Sequence, residues 1–122
     1  MQVTEQVPPE SRLNSDREQA LGHIAELERE FAAIVASAAD GSAGGDDEHD
    51  PEGATVAFER QHLAALLAQA RARVDAIDAA LRKVDSGVYE ICDLCGDPIG
   101  AERLAARPSA LTCIDCAAKR PA

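Results

Sequence analysis

Four cysteines set the tightest limit on what this chain can fold into. Cys92 and Cys95 form one Cys-x2-Cys pair, Cys113 and Cys116 form a second, and 17 residues separate them. Two residues between sulfurs let the backbone turn so that both face one ion, and the separation lies in the range of four-cysteine zinc sites. Zinc takes thiolate sulfur at about 2.3 Å in a closed tetrahedron, which leaves no position for water or substrate. The expected cofactor is therefore one structural Zn2+, and the chain is not expected to be an enzyme. Gly96, directly after the first pair, suits a tight turn. Ile91, Leu94, Ile99, Leu104, Leu111 and Ile114 are too few to make a secure core unaided, so metal binding should help fold this end.

Other readings of the cysteines fit less well. Thioredoxin-like dithiols would want a βαβ context, which the surrounding pattern lacks. An iron–sulfur cluster matches the ligand count, although this pair of knuckles favours zinc. A nucleic-acid finger would need clustered basic residues, yet residues 92–122 hold only Arg103, Arg107, Lys119 and Arg120 against four carboxylates. The whole chain has a formal net charge of −10 and a pI near 4.6, so direct sequence-specific DNA binding is not expected. No apolar run approaches the roughly 18 to 20 residues of a membrane span, and Met1 to Glu10 lacks the regions of a signal peptide. The expected location is the cytoplasm, where paired cysteines more often bind metal than form disulfides.

Upstream of the cysteines the apolar residues have a helical period. Residues 1–12 contain Pro8 and Pro9 and no such period, and read as a disordered leader. From Leu13 the series Leu13, Ala20, Ile24, Leu27, Phe31, Ile34 and Ala38 settles into alternating steps of four and three, an a/d seam. Ser15 and Glu18 fit a capping box at its start, and Gly41 a stop. A second series runs Val56, Leu63, Leu67, Ala70, Val74, Ile77, Leu81, Val84 and Val88, with Asp78 and Arg82 spaced as a pair along the helix. Gly87 is the expected end, and Val84 and Val88 lie beyond the matched seam, available to join the metal domain.

Residues 40–53 lie between the two series and contain six carboxylates with no Lys or Arg. Asp50-Pro51 can cap and start the second helix, with Thr55 as a rival cap. His49 beside Asp46, Asp47, Glu48 and Asp50 reads as a solvated histidine. Leu13 to Ala38 and Val56 to Leu81 span equal intervals, so a reversal at 40–53 gives matched antiparallel arms reaching on the order of 35 to 40 Å. The expected fold is mainly α: an antiparallel helical hairpin over 13–86 with its acidic tip at 40–53, a small four-cysteine zinc-finger domain over 87–118, and a tail at 119–122. A monomer is expected, with an intermolecular coiled coil as the rival.

Residues 87–116 resemble the zinc-finger segment of the DksA/TraR family of bacterial RNA polymerase-binding regulators. The Gly87-Val88-Tyr89 lead-in, Cys92-Asp93-Leu94-Cys95-Gly96, Ile99-Gly100, Arg103-Leu104, Ala106-Arg107-Pro108 and Cys113-Ile114-Asp115-Cys116 carry the resemblance, which with the hairpin extends over about residues 13 to 118. It implies a transcription regulator that docks on RNA polymerase and inserts the coiled coil into the secondary channel to modulate initiation. By the same resemblance the partner-binding residues are the tip carboxylates Asp46, Asp47, Glu48, Asp50 and Glu52. Asp50-Pro51 would take the place of the family's first tip aspartate and proline, while Gly53 stands where a second aspartate is expected. A zinc-bearing coiled-coil adaptor for another basic protein partner is the alternative.

Overall fold

Proline opens both long helices of the computed structural model, which describes residues 7–41 and 51–119. Helix α1 spans Pro9–Gly41 and helix α2 spans Pro51–Ser86. Proline lacks an amide hydrogen, which costs nothing in a first turn whose amides have no intrahelical acceptor. The Pro8 carbonyl accepts the Arg12 amide at 3.2 Å, and Glu10 puts a carboxylate in the positive first turn. Helix α1 thus starts four residues before Leu13 and absorbs part of the segment expected to be a leader. Ser15 and Glu18 consequently lie inside the helix and are not its cap. Helix α2 begins at Pro51, as the Asp50-Pro51 pair indicated, with Thr55 already inside it.

Gly87 stops α2. Its φ of 77° is the left-handed conformation that glycine adopts at little cost. The Gly87 amide donates to Val84 O at 3.1 Å and the Val88 amide to Lys83 O at 2.9 Å, the paired bonds of a Schellman closure. Two short helices follow, α3 at Ala101–Ala106 and α4 at Ile114–Lys119.

The chain divides into two compact units. One comprises Ala20–Ala72. Its core is Leu27 of α1 with Leu63, Leu67 and Ala70 of α2, flanked by Ile24, Phe31, Ile34 and Leu66. All but Leu66 belong to the two apolar series, so the heptad period found the face that each helix buries. Glu28 and Arg71 join the helices at the surface with a contact of 2.8 Å, more than half exposed on both sides and so worth at most about 1 kcal/mol.

The other unit combines the chain up to Gln19 with the chain from Arg73 onward. Leu13, Val74, Ile77 and Ala80 are buried in it. Asp78, expected to pair with Arg82 along its own helix, meets Arg17 of α1 at 2.7 Å, and the two half-exposed groups hold the guanidinium in its charged form. The buried face of α2 also changes period here. Val74, Ile77, Ala80 and Lys83 succeed one another at steps of three, whereas Val88 is 43% exposed and Val84 half-buried. Steps of three fall short of a 3.6-residue turn and rotate the buried face around the helix. Val84 and Val88, available to the metal end by their position, are not part of its buried cluster, and the buried residue of this turn is Lys83.

Candidate metal centre and acidic tip

The first cysteine pair sits in a small antiparallel turn. Ile91 bridges Pro98, the Cys92 amide donates to Asp97 O at 2.8 Å, and the Ile99 amide donates to Glu90 O at 2.7 Å. Gly96 turns the chain at φ 78° and returns its amide to Cys92 O at 3.1 Å. The second pair straddles the start of α4: Cys113 precedes it, Cys116 lies within it, and the Ala117 amide reaches Cys113 O at 2.9 Å. A hydrogen bond of 2.9 Å from the Asp93 amide to Leu111 O ties the two halves together.

This scaffold brings all four Sγ atoms within 4.8 Å of one another, the arrangement that the spacing predicted. Sulfurs at about 2.3 Å from a tetrahedral zinc stand roughly 3.8 Å apart. Cys95 Sγ and Cys113 Sγ are separated by 3.8 Å, so the donor set has the size of one zinc ion. Amides also point at sulfur, Leu94 N to Cys92 Sγ at 3.4 Å and Cys116 N to Cys113 Sγ at 3.5 Å, as befits atoms that carry negative charge when ligated. The four cysteines are positioned to bind one metal ion, and the fit is to zinc.

The thiols differ in acidity in a way that fits this purpose. Burial pushes Cys92 up, but amide donors at Cys95, Cys113 and Leu94 outweigh it and bring its pKa down to about 6. Hydrogen bonding with the sulfurs of Cys113 and Cys95, together with burial, pushes Cys116 up to about 12. At Cys95 the Asp97 amide favours the thiolate, yet the Cys92 sulfur and burial carry the pKa upward. The cluster ionises easily at one corner and resists a second and third charge, the behaviour of a set that needs a cation to complete its ionisation.

Few apolar groups support the centre. Cys92, Ile99, Leu104 and Ala110 form its buried cluster, packed against Tyr89, Cys113 and Cys116. Of the six aliphatic residues expected here only Ile99 and Leu104 are buried, while Ile91, Leu94 and Ile114 are 39%, 57% and 66% exposed. Polar contacts replace the missing core. Tyr89 donates its hydroxyl to Pro108 O at 2.7 Å, Arg103 Nε to Thr112 O at 2.9 Å, and Arg12 Nη2 to Ala105 O at 2.9 Å. Partial burial pushes the Tyr89 hydroxyl up, so it remains a donor.

Lys83 is the residue that sequence reasoning missed. It is 8% exposed, pairs with Asp93 Oδ1 at 2.9 Å, and also donates to Ile91 O. A lysine beside an apolar stripe reads as solvated face, and the one available signal was its position three residues after Ala80. Asp46, Asp47, Glu48 and Asp50, with His49, lie outside the described residues. Glu52 falls in the first turn of α2. Among the described residues the cysteine quartet is the one group of His, Cys, Asp or Glu side chains placed to hold a metal, and no helix is long and apolar enough to cross a membrane.

Comparison with known proteins converges on this centre. Residues 87–122 match the model of the prokaryotic dksA/traR C4-type zinc finger. The RNA polymerase-binding transcription factor DksA of Haemophilus influenzae is 52% identical over 40 residues, 33% of this chain and 28% of the relative. Its namesake from Escherichia coli K12 is 44% identical over 46 residues, 38% of this chain and 30% of the relative. The uncharacterized protein YteA of Bacillus subtilis is 36% identical over 66 residues, which is 54% of this chain and 28% of that protein. These alignments span less than a third of each curated relative's length. The solved structure of transcription factor DksA2 from Pseudomonas aeruginosa resembles the chain more broadly, with a TM-score of 0.50 and 27% identity over 89% of this chain and 82% of that one.

Proposed function

The chain belongs to the DksA/TraR family, and on that premise we propose that it binds RNA polymerase and regulates the initiation of transcription. The observation that carries the reading is the cysteine quartet, four sulfurs within 4.8 Å in a segment that matches the family's finger. Relatives that share the finger are named RNA polymerase-binding transcription factors. Cys92, Cys95, Cys113 and Cys116 are the zinc ligands, and the ion supplies a rigid, substrate-free cross-link. The finger, over 87–118, holds the base of a hairpin formed by the two long helices. The protein acts as a cytoplasmic monomer without catalysis and without direct sequence-specific DNA contact.

In this mechanism the hairpin enters the secondary channel of the polymerase and presents Asp46, Asp47, Glu48, Asp50 and Glu52 at its tip. The channel's basic lining and catalytic magnesium are the groups that such a tip would perturb. At physiological salt the screening length is about 8 Å, so the carboxylates act only on charges close to where the helices deliver them. Delivery of the carboxylates by the helices is therefore central to the proposal.

In vitro transcription with purified bacterial polymerase tests the proposal. Addition of the zinc-loaded protein should change the yield from sensitive promoters, and the protein should co-purify with the enzyme. Normal zinc binding without any polymerase association would replace this reading with that of a zinc-stabilised coiled-coil adaptor for another protein.

A further inference from the structure

Lys83 is the one charged residue that the described part of the fold buries. An ammonium group taken out of water is costly unless paired, so its contacts indicate what it is there to hold. It holds the first cysteine pair. Nζ meets Asp93 Oδ1 at 2.9 Å and donates to Ile91 O, grasping the residues on both sides of Cys92, itself 2% exposed. The carbonyl of Lys83 accepts the Val88 amide at 2.9 Å, in the closure that ends α2. One residue thus fastens the 83–93 segment three times. From Asp93 the connection passes to the second cysteine pair, through its amide and Leu111 O at 2.9 Å.

We infer that Lys83 is a positioning residue for the metal centre, coupling closure of the last turn of α2 to occupation of the four-cysteine site. With Cys92 held from both flanks, one ligand is placed before the ion arrives, and a fixed positive charge stands beside a donor set that is formally doubly negative once it holds Zn2+. Groups that orient ligands without touching the metal typically alter metal affinity 10- to 100-fold. Thermodynamic reciprocity adds a second consequence: if closure of α2 strengthens zinc binding, zinc must strengthen closure of α2. The ion then governs how firmly the helix end is fixed, and with it the base of the arm. The inference rests on the metal reading of the four cysteines.

Two measurements on the full chain test it, with zinc stoichiometry of the wild type established first. In competition with a chromogenic chelator, Lys83→Met should weaken zinc binding by 10- to 100-fold, and Asp93→Asn by a smaller factor, because the contact to Ile91 O survives in it. Asp93 is 48% exposed in its side chain, so its amide variant keeps the assay decisive if Lys83→Met does not fold. In hydrogen exchange on the wild type, zinc removal should deprotect the amides of Gly87, Val88 and Ile91 while those of Leu63 to Ala70 change little. Affinity within twofold of wild type in the folded variants would overturn the inference, as would equal protection at 87–91 with and without zinc. A wild type that binds no zinc would instead remove the metal reading beneath it.

Discussion

Cys92 and Cys116 carry the same thiol in opposite circumstances, and the contrast fixes how the centre should respond to pH. The Cys92 pKa, lowered to about 6, makes its thiolate a stabilising group above the thiol's ordinary range, and that contribution is lost as pH falls through 6. Cys116, raised to about 12, is favoured in its protonated form below the ordinary range, and this is lost as pH rises toward 12. At pH 7 without metal, zinc must therefore displace at least the protons of Cys95 and Cys116. The logarithm of zinc affinity should rise by at least about two per pH unit near neutrality, measured by chelator competition between pH 6 and 8. A slope near zero would mean that the sulfurs bind already ionised. Cys113→Ala takes away one of four ligands and leaves a core of two buried aliphatic side chains. Stoichiometric zinc should be lost and this end should unfold, visible as lost dispersion of the Ile99 and Leu104 methyl resonances.

The elements were legible to the degree that one period governed them. Alternating steps of three and four located the buried faces of both long helices, from Leu27 against Leu63, Leu67 and Ala70 out to Ile34. Truncating Leu67, 6% exposed, to Ala should cost about 2 to 4 kcal/mol in thermal unfolding of the hairpin, with zinc content unchanged. The period failed where α2 turns its face to a second set of neighbours, since steps of three through Ala80 to Lys83 are set by packing that no local pattern records. The beginning of α1 departs from its local signal for a related reason. Ser15 and Glu18 have the spacing of a cap, yet Pro9 starts the helix with Arg12 bound to Ala105 O, a contact 93 residues away in sequence. Gly87, by contrast, was readable because a left-handed stop is a local requirement. Its Cβ would meet nothing within 4 Å, so Gly87→Ala isolates the backbone cost. About 1 kcal/mol is expected in the melting of the zinc-loaded protein.

At the scale of the molecule, the proposed function assigns recognition and action to different ends of the chain. The finger, over 87–122, is the part that matches the family model, and it is legible because metal ligation dictates spacing. A tip dictates only sign. In the proposed mechanism its carboxylates need only be negative and close to their target, a demand that many arrangements of Asp and Glu within 40–53 can meet. This division makes a prediction about separability. Replacing Asp46, Asp47, Glu48, Asp50 and Glu52 by their amides leaves the zinc centre and the Leu27–Leu67 core untouched, so zinc content and melting temperature should hold. In transcription with purified polymerase the variant should still compete with wild type for the enzyme while no longer altering promoter output. Binding by wild type that weakens with salt far more than binding by the variant would show the carboxylates contributing to capture as well, because exposed charges are screened within about 8 Å at physiological ionic strength. Equal regulation by both proteins would remove the tip from the mechanism and place the activity on the helices or the finger. Loss of association together with loss of regulation would place docking itself at the tip. Retained competition with silenced output is the result that regulation through the tip charges requires.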